Sequence, residues 1–249
     1  MSLEKKISLW LKKYLLENKL DSFVVGISGG IDSAVTSTLC AMTGMKTIVV
    51  TMPIYQNQNE TDRGIHHCSW LLKKYKNVKV HNIDLTKVYE LFKNTFSEDF
   101  HNPLALANTR ARIRMSALYL IAGSSRGIVV GTGNKVEDFG VGFFTKYGDG
   151  GVDISPIADL MKSEVYEIAR KMKIIDSIME AKPTDGLWDD DRTDEDQLGV
   201  SYDDLEWAMN YKGQKITKEQ KEKLNIYNQH RKSNLHKMKD IPIFKKNDS

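Results

Sequence analysis

With 249 residues, 41% of them hydrophobic and 28% charged, the chain is long enough to bury a sizeable core as one α/β domain. A net charge of +3 is too small to point to nucleic acid, and no apolar run reaches the roughly 18 to 20 residues that cross a bilayer. The two cysteines, Cys40 and Cys68, lie in apolar-periodic segments with no zinc-like spacing, and read as free buried thiols in a reducing, cytoplasmic setting.

In chain order, the lysine-interrupted N-terminus reads as an amphipathic helix with Leu3, Ile7, Leu11, Tyr14 and Leu15 on one face, not as a signal peptide. Phe23–Ile27 reads as a strand, Asp32–Met42 as a helix stopped near Gly44, and Thr47–Met52 as a second strand closed by Pro53. Thr61–Tyr75 has helical period with Ile65, Cys68, Leu71 and Leu72 inward, and the His66–His67 pair reads as surface or packing. Val78–Ile83 is a third strand, Val88–Phe96 and Ala107–Ala122 are helices, and Ile128–Gly131 is a fourth strand. Past Ser163 the chain is helical. Ten Asp/Glu against one Arg between Asp185 and Glu206 read as a solvated acidic loop, and eleven Lys/Arg against four Asp/Glu from Lys212 onward as a solvated basic helix face.

Strands of near-continuous Val/Ile alternating with helices specify a doubly wound parallel sheet covered on both faces, with a helical C-terminal part. Ligands of such sheets bind beyond the strand carboxyl ends, where strand order reverses. SGGIDS, TMPIYQNQN and GTGNKVEDFG all fall at such ends.

SGGIDSAV, residues 28 to 35, has neither the spacing nor the lysine of a Walker loop, and GISGGI does not fit the dinucleotide fingerprint. What it offers is a tight turn at Gly29 and Gly30, the hydroxyls of Ser28 and Ser33, and the positive end of the next helix, which together suit a phosphate. Asp32 beside a phosphate is repulsive unless a cation lies between them, and Mg²⁺ resolves that conflict.

SGG-x-DS after a buried strand resembles the pyrophosphate-binding loop of the N-type ATP pyrophosphatases. NTRARIRMSALYLIA (108–122), GTGNKVEDFGVGFFTKYGDGGVDISPIADLMKSEV (131–165), KPTDGLW (182–188), DEDQLGVSYDDLE (194–206) and HKMKDIP together resemble the ammonia-dependent NAD synthetases over nearly the whole chain. The resemblance implies a single synthetase domain over 1–249 without a glutaminase domain. It implies amidation of deamido-NAD with free ammonia to NAD⁺, AMP and pyrophosphate, through an NAD-adenylate, as the last step of NAD biosynthesis. ATP as cosubstrate, Mg²⁺ and a homodimer come with it. The dimer candidates are the N-terminal helix and Ala107–Ala122.

Residue by residue, the resemblance gives ATP the loop Gly26, Ile27, Ser28, Gly29, Gly30, Ile31, Asp32 and Ser33, with Thr132, Lys162 and Thr184. It gives the metal Asp32 and Glu137, the chemistry Asp32, Lys162 and Thr184, and deamido-NAD the residues Arg112, Lys146, Asp153, His236 and Lys237. Alone, Glu137 reads as a surface acid and Arg112 as a solvated base. Lys162 at a helix N-terminus is mildly unfavourable against the helix dipole, which favours a functional reading. Ile31 stands where many members carry glutamine, and one residue more than the bacterial pattern separates Glu137 from GFF. A lid over the activated intermediate is expected from 183–197, with Asn57–Asp62 as a second candidate. A sulfur-transfer enzyme on this loop would show catalytic cysteines and a basic face, and a nucleotide sensor would not need Glu137, Lys162 and Thr184 together.

Overall fold

The structure, a computed structural model, describes residues 1–184, 186 and 192–246. Its elements run α1 (Leu3–Glu17), β1 (Ser22–Ile27), α2 (Ile31–Met42), β2 (Lys46–Thr51), α3 (Gln58–Lys74), β3 (Val78–Asn82), α4 (Thr86–Asn94), α5 (Pro103–Ser124) and β4 (Gly127–Val129). A π-helical turn at Lys135–Val141 follows, then α6 (Lys162–Met172), α7 (Asp176–Met179), α8 (Asp194–Leu198), α9 (Tyr202–Met209) and α10 (Lys218–Met238).

The four strands are parallel in the order β3-β2-β1-β4, with Val24 opposite Ile48 on one side and Val129 on the other. Alternation along β1 explains the two layers, because successive side chains leave opposite faces. Phe23, Val25 and Ile27 pack with Leu11, Leu15, Leu39 and Ile168 of α1, α2 and α6. Val24 packs instead with Ile48, Val50, Tyr89 and Ala122, under α4 and α5. A third cluster joins Val136 and Val141 of the π-helical turn to Leu198, Tyr202, Leu205 and Tyr227 of the C-terminal helices. The chain winds outward from β1 through β2 to β3, then returns to the far side of β1 as β4. The switch point therefore lies between β1 and β4.

The α3 face differs from the one the periodicity suggests. Ile65 and Leu72 are exposed, while Glu60, Gly64, His67, Cys68 and Leu71 are buried. The helix starts three residues earlier, capped by Asn57, and turns Gly64 toward the loop after β1. His67 is fully buried, hydrogen-bonded to Ser37 Oγ at 2.9 Å and stacked on Trp70, so of the pair only His66 is at the surface. Both cysteines are buried free thiols, as their apolar surroundings suggested.

Burial lowers the His67 pKa from 6.5 to about 4. The unfolded chain takes up a proton there as pH falls through 6.5, but the folded chain does so only near 4, so this contribution is complete above about 6.5 and is lost toward about 4. The loss amounts to roughly 3 kcal/mol. Thermal melts across pH 4 to 7 are expected to show a shallower slope for His67→Gln than for the wild type. Parallel slopes would contradict a neutral buried imidazole.

Candidate active site

The loop after β1 is built by two opposing constraints. Gly29 has φ +88° and faces the Glu60 carbonyl of α3, into which a Cβ would run, so glycine is required by both angle and space. Gly30 has ordinary backbone angles and serves as the N-cap of α2. Ser28 and Ser33 bind each other and the loop: their hydroxyls lie 3.2 Å apart, Gly30 N donates to Ser28 Oγ at 3.2 Å, and Ser33 Oγ donates to Gly30 O at 3.0 Å. Arg63 of α3 donates to Gly29 O at 3.3 Å and fixes the loop from outside. The result is a ring of small groups around the positive end of α2, where phosphate is favoured.

Asp32, in the first turn of α2, faces the switch point. From the β4 side, Asn134 caps the π-helical turn, accepting from Val136 N at 3.0 Å and Glu137 N at 3.1 Å, while its Nδ2 donates to Asp32 Oδ1 at 3.2 Å. That cap aims Glu137 at Asp32. A π turn is one residue wider than an α turn, and Lys135–Val141 takes this form.

Lys162, the first residue of α6, closes the group. Its Nζ is 2.5 Å from Asp32 Oδ2 and 2.9 Å from Glu137 Oε1, on a side chain 4% exposed. Tyr202 OH donates to Glu137 Oε1 at 2.5 Å, and the Tyr202 ring lies 4.9 Å from the ammonium. Burial pushes Glu137 up, but Lys162 and the Tyr202 hydroxyl outweigh it and hold the carboxylate below its usual range. Burial disfavours the charged lysine, yet the carboxylates raise its pKa above the ordinary value. Burial, with the charge of Glu137, raises Asp32 against the pull of Lys162. Among the described residues no group of three or more His, Cys, Asp or Glu could hold a metal. Two oxygens converging on one cation suit a hard divalent ion that takes its other ligands from phosphate and water.

A cavity of about 680 Å³ opens beside this group. It is lined by the Gly26–Ser33 loop except Gly29, and by Thr132, Glu137, Lys162 and Thr184. Arg112, Lys146, His236 and Lys237 line it as well: Arg112 donates to Lys146 O at 3.3 Å, and Lys146 to His236 O at 3.4 Å. Asp153 is not brought in. Its carboxylate is exposed, accepting from Val129 N and from Tyr119 OH, both at 2.8 Å, and so ties β4 to α5 outside the cavity.

Sequence reading missed Asn134, Tyr202, Arg114 and Gln56. Arg114 donates to Met52 O and Gln56 Oε1, both at 2.9 Å, and Gln56 Nε2 reaches Gly186 O at 3.4 Å. Gln56, just before the second lid candidate Asn57–Asp62, thus touches the first at Gly186, while Asp185 and 187–191 lie outside the described residues. The acidic segment is not merely solvated either. Asp194 Oδ2 lies 3.2 Å from the Tyr202 hydroxyl, whose one proton is shared mainly with Glu137, and Glu206 caps the N-terminus of α6 through Ser163 N at 2.8 Å.

A parallel sheet with an anion loop and a carboxylate pair at its switch point defines an α/β nucleotide-binding protein. Comparison with known proteins narrows the class. The family model described as NAD synthase matches residues 3–248, and the chain belongs to that family. It is 37% identical over 235 residues to the NH(3)-dependent NAD(+) synthetase of Methanosarcina acetivorans, covering 90% of each chain. It is 35% identical over 205 residues to that of Carboxydothermus hydrogenoformans, covering 81% of this chain and 82% of the relative. Among solved structures, the NMN synthetase of Francisella tularensis superposes with a TM-score of 0.86 at 31% identity, covering 98% of this chain and 97% of that one.

Proposed function

We propose that this chain is an ammonia-dependent ligase that amidates deamido-NAD to NAD⁺, with ATP cleaved to AMP and pyrophosphate. The observation that carries this reading is the meeting of Asp32, Glu137 and Lys162 at the switch point, beside the SGGIDS loop, in a chain of the NAD synthase family.

In the proposed sequence, a nicotinate carboxylate oxygen attacks the α-phosphorus of ATP and the bond to the β-phosphate oxygen breaks. Pyrophosphate leaves into the loop of Ser28, Gly30 and Ser33, where backbone N–H groups and the α2 terminus receive its charge. The lone pair of ammonia then attacks the carbonyl carbon of the adenylate, AMP leaves with the C–O electrons, and ammonia gives up a proton. Mg²⁺, held by Asp32 and Glu137, would neutralise charge on the phosphate oxygens. Lys162 supplies a second cation at the same place, and Thr184 a hydroxyl from the opposite wall. Arg112, Lys146, His236 and Lys237 are placed to hold the substrate's nicotinate nucleotide half, Arg112 as a forked donor to phosphate. No side chain forms a bond to substrate, so rate comes from positioning and electrostatics.

Incubation with ATP, Mg²⁺, deamido-NAD and ammonium tests the reading. Formation of NAD⁺ and AMP is expected, whereas ADP as product, or turnover independent of ammonium, would sink it.

A second reading is favoured by the Francisella tularensis similarity: nicotinate mononucleotide as the acceptor, giving NMN. The ratio of kcat/KM for the two acid substrates decides between them.

We further propose a homodimer in a cytoplasmic setting, with residues 1–249 acting as one synthetase domain. Supporting the dimer are exposed apolar side chains on α4, α5 and their connection: Leu91 and Leu120 are 74% and 72% exposed, and Phe92, Phe96 and Phe100 form an exposed aromatic row. A sedimentation mass twice that of the chain is expected, and Leu91→Glu with Leu120→Glu should bring it to that of one chain. No helix among the described residues is long and apolar enough to cross a membrane.

A further inference from the structure

Lys162 sits where a cation is poorly served by its own backbone. It opens α6, so the helix dipole opposes its charge, and burial removes it from water. What holds it is the carboxylate pair, with Nζ 2.5 Å from Asp32 Oδ2 and 2.9 Å from Glu137 Oε1. These are the oxygens that the reading above assigns to the divalent ion, and Lys162 Nζ already occupies the point between them.

We propose that the Lys162 ammonium and the divalent cation compete for Asp32 and Glu137, so that metal enters productively only with the triphosphate that receives Lys162 as it moves. The inference rests on the ATP and Mg²⁺ reading of this site. Two carboxylates balanced by one ammonium carry one net negative charge, and a dication arriving beside the ammonium meets direct repulsion. Moving the ammonium aside exchanges two charge-assisted hydrogen bonds for none, unless an anion lies within reach. Phosphates in the adjoining loop are such an anion, because Ser33 follows Asp32 directly and lines the same cavity as Lys162. Nucleotide and metal are then positively coupled through one side chain, and the coupling is reciprocal. Asn134 and Tyr202, which keep hold of Asp32 and Glu137 respectively, preserve the pair while the lysine moves.

The test is Mn²⁺ binding to the whole chain without nucleotide, read by electron paramagnetic resonance of the free ion, for wild type, Lys162→Met and Lys162→Met combined with Asp32→Ala. The wild type should show weak uptake. Lys162→Met should bind one Mn²⁺ about tenfold or more tightly than wild type, within the 5- to 150-fold range of ordinary couplings, and the added Asp32→Ala should abolish the gain. A tight Mn²⁺ site in nucleotide-free wild type, or a folded Lys162→Met with no gain, overturns the competition. If Lys162→Met folds poorly, Lys162→Ser takes its place. A melting midpoint raised by Mn²⁺ alone in either variant, but not in wild type, is then the expected result, and no rise in either overturns it. Turnover assays of the wild type run beside these keep the two ideas apart. Activity together with a tight nucleotide-free Mn²⁺ site removes the competition and leaves the function standing.

Discussion

Asp32→Ala is expected to slow pyrophosphate release by about two to three orders of magnitude, the usual effect of deleting one preorganised group that stabilises a transition state. The side chain meets Asn134 Nδ2 and Lys162 Nζ directly, and in the proposed reaction it would share with Glu137 the cation beside the phosphates. Its removal leaves Lys162 paired to Glu137 alone and Asn134 Nδ2 without this acceptor. The fold should survive at a cost of about 1–3 kcal/mol, the range for an orphaned buried partner. Asp32→Asn keeps the shape but not the charge, and should lose nearly as much activity with a smaller drop in melting midpoint. Pyrophosphate release and thermal melts measure the two effects separately, and near-normal release from a folded Asp32→Ala would remove this carboxylate from the chemistry.

Gly29→Ala is expected to damage both stability and activity, for a reason that lies outside the chemistry. A side chain at φ +88° costs about 1–2 kcal/mol, and its Cβ would collide with the Glu60 carbonyl in the first turn of α3. That carbonyl cannot rotate away without loosening the turn capped by Asn57, so overpacking adds about 1–3 kcal/mol. The loop would shift by a fraction of an ångström off the α2 terminus, enough to weaken ATP binding strongly. Gly30→Ala, one residue along, meets only Ser28 Oγ at 3.4 Å and should be far milder. The contrast between adjacent glycines, read by ATP affinity and melting midpoint, checks that the protein contact and the backbone angle matter at Gly29. Equal losses at both would assign the effect to the phosphate side instead.

Much of the fold can be read in the chain because a parallel sheet buried on both faces leaves an unmistakable trace. Runs such as FVVGI and TIVV have nowhere else to go, and their carboxyl ends mark the site. Strand order was not legible, since β4 pairs with β1 through contacts more than a hundred residues apart in sequence. The α3 phase misled for a related reason. Its N-terminal half packs against a glycine loop rather than an apolar surface, so Glu60 and Gly64 are buried while Ile65 is not. In the site, Asp32 stood out by its place in an anion loop after a strand, whereas Glu137 alone read as a surface acid and was singled out only by the family resemblance. Tyr202 did not stand out, because a tyrosine opening a helix in an acidic stretch has no local signature, and its role exists only once α9 lies against the π-helical turn. Asn134 carried a signal that could have been used: an Asn three residues before Glu137, just after a strand, is a capping pattern.

The π-helical turn is fastened from far downstream. Arg231 donates to Phe139 O and, at 3.0 Å, to Gly140 O; Asn234 donates to Val141 O at 2.9 Å, and Lys237 to Phe144 O at 2.7 Å. Spaced three apart, these donors form one face of α10, laid like a row of buttons on the carbonyls of 139–141 and 144. Protein synthesis makes that arrangement directional in time. The turn bearing Glu137 leaves the ribosome some ninety residues before the helix that secures it, so a nascent chain carries the phosphate loop well before it carries a finished carboxylate pair. The site is thus assembled from both ends of the chain, with Asp32 near its start and the fastening of the Glu137 turn near its end.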